Sequence, residues 1–298
     1  MTGFVCFDKG ENITSFFAVK RMSRLMGEKK AGHTGTLDPM ATGVMTVALG
    51  GATRFIELIP SHEKSYTAVI KFGIATDTLD ITGNVLETSD IKVSREDFEN
   101  TLPFFRGDIM QVPPMYSALK KDGVRLYDLA RQGVEVEREE RPVTIKKLEL
   151  ISHNEEENEF GIEVFCSNGT YIRSLCNDIG EKLGVPCTLK KLRRTMANNI
   201  DISICRTFEE IEKICEEGRQ AEILLPVDRL LSVYPEVKVS EKQAVRFSNG
   251  GELDAGRLKC NFAEGYYRVY SPEGKFLGIG EYDEEKNQLK VKRVYNEK

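Results

Sequence analysis

Residues 32–50 read GHTGTLDPMATGVMTVALG. The first twelve hold three Gly, three Thr, one His, one Asp and one Pro, with neither a helical stripe nor strand alternation. The last seven, residues 44–50, form an apolar run closed by Gly, the pattern of a buried strand. An irregular polar segment set directly before such a strand predicts a tight loop at the mouth of a sheet. Gly32, Gly35 and Gly43 allow backbone geometries closed to other residues. Pro39 fixes the turn after Asp38, and Thr34, Thr36 and Thr42 are able to bond the local backbone. Composition alone leaves two readings of Asp38: an acid that caps the turn of Pro39, or a carboxylate mounted for chemistry.

Working outward, residues 3–7 (GFVCF) read as a short strand. Residues 13–26 read as an amphipathic helix with Thr14 or Ser15 near its N-cap and Phe16, Val19, Met22 and Met26 as its apolar positions. Residues 64–74 alternate as a longer strand, and residues 76–84 are turn material. Residues 94–102 open with a capping box from Ser94 to Asp97. Two more alternating runs, VTIKKLELI and EFGIEVFC, precede the turn SNGT at 167–170. A helix begins near Tyr171, places Ile172, Leu175, Ile179 and Leu183 at spacings of three and four, and stops at Gly184. Residues 207–218 form a short helix with its own capping box and Gly stop. After about residue 232 the runs become short, alternating and separated by Gly, Pro, Asn and Asp, which predicts a small all-β module. Strands and helices mix before that point without regular βαβ alternation. The expected class is therefore α+β, with a mixed, largely antiparallel sheet flanked by helices. The expected domains are 1–232 and 233–298.

The chain has 298 residues, 40% hydrophobic and 30% charged, an ordinary globular balance. Its seven Cys are odd in number and contain no CxxC pair, so reduced thiols in a cytoplasm are expected rather than a disulfide framework or zinc site. The N-terminus lacks the apolar core of a signal peptide, and no run of about 18 apolar residues is present to cross a membrane. There is no GxxxxGK[ST], no strand-linked GxGxxG and no GxSxG. The three His, at 33, 62 and 153, do not match a helical zinc motif. Neither cofactor nor metal is expected. The net charge is −5, yet basic residues cluster at 20–30 (Lys20, Arg21, Arg24, Lys29, Lys30) and at 190–194 (Lys190, Lys191, Arg193, Arg194), while acids gather at 155–159 and 281–285. Each cluster alone is an ordinary solvated face; their segregation from the acids points to a polyanionic partner.

At GHTGTLDPMATGVMTVALGGATRF the chain resembles the bacterial TruB family, tRNA pseudouridine synthases that act on uridine 55 of the T loop. The likeness continues through KSYTAVIKFGIATDTLDITG, QVPPMYSALKKDGVRLYDLARQG (111–133), CSNGTYIRSLCNDIGEKLG (166–184) and LRRT (192–195). It runs in order from residue 3 to about 232, with a PUA-like tail after it. One segment departs. Where the family has Lys-Pro-x-Gly-x-Thr-Ser, residues 9–15 read KGENITS, with Gly10 for Pro and Asn12 for Gly.

The resemblance implies a pseudouridine-synthase fold and a C-terminal PUA-like RNA-binding module. It also implies a reaction that breaks the uracil–ribose bond, turns the base and rejoins it through carbon 5. Asp38 matches the family's catalytic Asp, a nucleophile acting at ribose carbon 1′ or promoting elimination there. Tyr66 matches the active-site Tyr, whose ring stacks on uracil and whose hydroxyl assists proton transfer. Arg173 matches the Arg that pairs with and orients Asp38. His33 would stand beside the flipped base, and Asp80 would contact RNA. Tyr171 receives a supporting role, because two helical positions apart it would point away from Arg173. Lys20, Lys190, Lys191, Arg193 and Arg194 would hold tRNA phosphates. The implied partner is tRNA through its T stem-loop, met by a cytoplasmic monomer that needs no partner protein. A guide-RNA-directed synthase of the dyskerin type and a non-catalytic tRNA-binding protein are the rival readings.

Overall fold

The computed structural model describes residues 1–60 and 63–296; His62 lies outside them. A nine-stranded sheet organises the larger part. Along its path the strands run Gly3–Lys9, Thr42–Leu49, Cys187–Ala197, Lys64–Phe72, Glu159–Cys166, Arg141–Asn154 and Gly107–Gln111, with Ala31–His33 and Ile200–Asp201 attached beside it. Every pairing is antiparallel except Thr42–Leu49 against Cys187–Ala197. That single parallel pair sets Arg194 opposite Gly43 on one side, and the next ladder sets it opposite Tyr66 on the other. Strand register thus places three residues distant in sequence side by side.

The core fills the face that the helices cover. Val5, Met45, Val47, Ile70, Ile162, Val164, Leu175, Ile179 and Leu189 are all fully buried there. Each such aliphatic side chain contributes about 1.5–3 kcal/mol of transfer free energy. The helix Ser15–Leu25 is N-capped by Thr14, whose hydroxyl accepts from Phe17 N–H at 3.1 Å. Of the expected apolar stripe, Met22 and Met26 are buried and Val19 packs against the core, while Phe16 at its start is 75% exposed. In the first turn Ser15 and Ala18 take the inward positions, and Phe16 faces out. The helix Ile172–Leu183 ends on Gly184 at φ 68°, the left-handed stop its sequence announces. At Ser94 only half of the expected capping box forms. Ser94 Oγ accepts from Asp97 N–H, while the Asp97 carboxylate takes the Ser94 hydroxyl at 2.6 Å. Aspartate is one methylene shorter than the usual Glu partner.

The C-terminal part is a five-stranded sheet ordered Glu236–Lys238, Gly265–Tyr270, Phe276–Asp283, Gln288–Val294, Leu253–Asp254. It also carries a helix, Glu241–Ser248, started by a full capping box between Ser240 and Gln243. The alternating runs do not announce this helix, since only Phe247 on it is buried. A separate apolar cluster joins this sheet to the larger one through Phe4, Phe55, Leu231, Tyr270, Phe276 and Ile279. The Tyr234 hydroxyl adds a bond to the Leu58 carbonyl at 2.8 Å.

Candidate active site

The Gly/Thr segment connects Ala31–His33 to Thr42–Leu49 and carries Asp38 at its outer bend. Ala41 N–H donates to the Asp38 carbonyl at 3.1 Å, closing a turn with Pro39 at its first corner. The rest of the mount comes from distant residues rather than from the local threonine bonds expected. The Ser15 hydroxyl, buried, holds both the carbonyl and the N–H of Leu37, at 2.8 and 2.9 Å. Lys9, fully buried, donates to the carbonyls of Gly10, Ile13 and Pro39. Thr34 Oγ1 accepts from Asn198 and Thr42 Oγ1 from Arg193.

Arg194 is the largest strut. Its guanidinium donates to the carbonyls of Val44 (2.8 Å), Thr36 (3.1 Å) and Gly35 (3.4 Å), and the residue is 2% exposed. This corrects the expectation of a phosphate contact. Alternation along Cys187–Ala197 turns Arg194 inward, so its charge serves the loop. Of the three loop glycines, only Gly43 needs to be glycine for backbone reasons. Its φ is +107°, and a Cβ there would meet the Arg194 carbonyl oxygen at 2.1 Å. At Gly35 the nearest atom would lie 3.8 Å away.

Asp38 meets its partner across this mount. Arg173 Nε donates to Asp38 Oδ2 at 2.9 Å, with the Arg side chain 5% and the Asp side chain 33% exposed. The remaining guanidinium nitrogens donate to the carbonyls of Thr78 (3.0 Å) and Tyr116 (2.7 Å). Asp80 Oδ2 lies 3.8 Å from Arg173 Nη1. Arg173 stands in the first turn of its helix, where the helix dipole disfavours a cation; the two carboxylates offset that penalty. Burial raises the Asp38 carboxyl above its ordinary pKa, and the Arg173 charge pulls it back. The face that Asp38 leaves open is therefore a carboxylate held on one side and free on the other.

Asp80 is 5% exposed and takes the Thr78 hydroxyl and the Thr82 N–H on one oxygen. It is both turn-forming and part of the Arg173 cluster, its carboxylate committed to those partners in the free protein. Tyr66 is buried; burial pushes its hydroxyl up to about 12 and the Arg194 charge beside it pulls the other way, so the phenol keeps its proton near neutrality. Tyr171 is the N-cap of the helix, with φ −99° and ψ 111°. Its extended backbone corrects the helical argument against it, and the charges of Arg173 and Asp38 both act on its hydroxyl. His33, at the end of Ala31–His33, has its pKa lowered by burial and by Arg194, and its Nδ1 has no hydrogen-bond partner among the described residues.

The other basic residues diverge. Arg193 pairs with Asp8 through Nη2 at 2.5 Å, and Lys190 pairs with Glu159 at 2.5 Å. Lys20 and Lys191 are exposed. The residues that sequence reasoning left out of the site are Lys9, Ser15 and Asn198. Lys9 and Ser15 were visible as the constant part of the divergent KGENITS segment. Asn12 there adopts φ 60°, the left-handed backbone open to the family's Gly and tolerated by Asn.

The fold is that of pseudouridine synthases. The chain superimposes on the crystal structure of a Cbf5–Nop10–Gar1 complex with a TM-score of 0.75 at 22% identity, over 98% of this chain and 84% of that one. It matches an H/ACA RNP bound to a substrate RNA containing 2′-deoxyuridine with a TM-score of 0.74 at 20% identity, over 99% and 86%. At such identities the likeness is one of fold. Family models add the sequence. The N-terminal domain of TruB family pseudouridylate synthase matches residues 23–172, the C-terminal domain of tRNA pseudouridylate synthase B matches 173–232, and the C-terminal model of pseudouridine synthase II TruB matches 235–295. The tRNA pseudouridine synthase B of Clostridium tetani is 43% identical over 287 residues, 96% of this chain and 97% of that protein. Its counterpart in Escherichia coli O139:H28 is 39% identical over 295 residues, 96% and 92%. The chain belongs to the TruB family of pseudouridine synthases.

Proposed function

We propose that this protein isomerises uridine 55 in the T loop of tRNA to pseudouridine, with Asp38 as nucleophile. Family membership and the names of the relatives support the reaction and the tRNA substrate. The observation that carries the residue assignment is the Arg173–Asp38 pair on a loop held by Lys9, Ser15 and Arg194. A rigid mount keeps the carboxylate aimed without reorganisation at the moment of reaction, and the Arg173 charge favours its ionised form against burial.

In this reading the target base leaves its stack, at a cost of a few kcal/mol. Asp38 forms an ester bond to C1′ as the N1–C1′ bond breaks, and that ester bond breaks in turn when C5 of the turned base attacks C1′. The freed uracil turns, C5 bonds to C1′, and the C5 proton is lost while N1 gains one. Substrate and product are isomers, so the balance needs no oxidant, reductant or nucleotide. Tyr66 supplies a protonated aromatic ring beneath the base, and neutral His33 stands beside the opened loop. Residues 1–232 act as the catalytic domain and 233–298 as an RNA-binding module. The protein works in the cytoplasm as a monomer without a partner protein. Lys20 and Lys191, the exposed members of the predicted basic set, hold phosphates.

The test is tritium release from tRNA transcript labelled at uridine C5, with the purified protein alone. Wild type is expected to release label, and Asp38→Asn to release none while binding tRNA. Equal turnover by Asp38→Asn would sink the assignment.

A further inference from the structure

The exposed face of the helix Ser15–Leu25 is chemically unusual. Phe16 is 75% exposed and Phe17 54%, two adjacent large aromatics in water. Phe17, Lys20 and Arg24 stand at spacings of three and four, and Phe16 lies four before Lys20, so the four share one side. Lys20 and Arg24 are exposed, and neither forms an ion pair among the described residues. By contrast Arg21 on the same helix is committed, bonded to Glu212 at 2.7 Å and lying over the Phe208 ring. The helix contains no acidic residue.

This face is continuous with the catalytic loop. Ser15, the residue before Phe16, clamps both backbone groups of Leu37, the neighbour of Asp38. We propose that Phe16 and Phe17 form a stacking platform for an unpaired nucleotide of the RNA substrate, flanked by Lys20 and Arg24 on its phosphates. Aromatic rings accept any base on their faces, and unpaired cations beside them match a polyanion. An aliphatic protein partner would use the rings but leave the two cations unanswered, and an acidic one would answer the cations but leave the rings without a flat apolar face to stack on. The inference rests on the tRNA reading above and names the surface that reading lacks.

The chain contains no Trp, so Phe17→Trp introduces a single indole at the platform, excitable selectively over the ten Tyr. Binding of unmodified tRNA transcript and of an isolated T stem-loop hairpin is measured for wild type, Phe16→Ala, Phe17→Ala and Phe17→Trp. Both Ala variants are expected to fold normally, to bind roughly ten- to hundredfold more weakly, and to keep kcat at saturating RNA. Phe17→Trp should retain affinity, with its emission quenched on RNA addition. Lys20→Gln and Arg24→Gln should each lower the salt slope of binding by about one. Unchanged affinity in both Ala variants together with an unquenched Trp would overturn the proposal. So would a concentration-dependent dimer lost in the Ala variants, which assigns the face to a second copy. Wild-type inactivity on tRNA with quenching intact would instead sink the catalytic reading and leave the platform standing.

Discussion

Arg173 is the residue through which the site is most sharply tested. Its guanidinium makes three separate donations, to the Asp38 carboxylate and to the carbonyls of Thr78 and Tyr116. Arg173→Lys keeps a charge but presents a single ammonium on a flexible stem. It can serve Asp38 or the carbonyls, not all three in the fork geometry. Two acceptors left poorly satisfied cost about 1–3 kcal/mol each, so a stability loss of about 2–6 kcal/mol is expected. Arg173→Met removes the charge as well. Breaking a buried pair costs about 3–5 kcal/mol, the one-third exposure of Asp38 places this pair at or below the lower end, and that loss comes on top of the two unsatisfied carbonyls, so Arg173→Met is the less stable variant. The chemical step should fall on the order of 100- to 1000-fold, the scale of one lost electrostatic partner in an active site. The pH dependence separates the two variants. As the proposed nucleophile Asp38 would work ionised, so the rate is expected to fall as pH drops through its pKa. Without Arg173 only the raising influences, burial and Asp80, remain large. The acidic limb of the single-turnover tritium-release profile should therefore move to higher pH in Arg173→Met and stay near the wild-type position in Arg173→Lys. A wild-type rate with an unmoved limb in Arg173→Met would refute the proposed pair.

Gly43→Ala should lower stability by more than about 2 kcal/mol, since its Cβ collides with backbone at a positive φ; Gly35→Ala should be nearly neutral in the same denaturation series. Arg194→Gln should cost stability and activity through the loop it carries, whereas Lys191→Gln should leave both intact and weaken only salt-sensitive tRNA binding. Lys9 has its ammonium pushed down to about 8 by burial from 10.5. Between those values the unfolded chain binds the extra proton, so stability rises with pH there. The stability of wild type relative to Lys9→Met should therefore increase from about pH 8 to 10.5 in chemical denaturation; a flat difference would refute the buried charge.

Much of this molecule is legible without coordinates because its signals are local. Thr14 before an apolar periodicity starts a helix and Gly184 stops one, whereas the helix begun by Ser240 with Gln243 is concealed by the alternating runs around it. The ordered run of motifs from residue 3 to about 232 is dense enough to identify the family and to single out Asp38, Tyr66 and Arg173 together. What period-two alternation cannot say is which face of a strand is inward. It places Lys191 and Arg193 on one side and Arg194 on the other, but burial decides that Arg194 is a strut and Lys191 is exposed.

The remaining decisions belong to contacts across long separations. Asp38 and Arg173 stand 135 positions apart in the numbering, and no local pattern encodes their 2.9 Å approach. The one parallel pairing in the larger sheet sets Gly43 against Arg194, the next ladder sets Arg194 against Tyr66, and that register explains why Gly43 has no room for a side chain. Phe16 shows the same division: its helix is written in the sequence, but tertiary packing puts Ser15, Ala18 and Met22 inward and leaves Phe16 outside. Residue type and spacing thus determine the elements and the chemistry available, because they act within a turn or a strand. Tertiary packing assigns each charge its task, because the cost of burying a guanidinium depends on which distant carbonyls and carboxylates answer it.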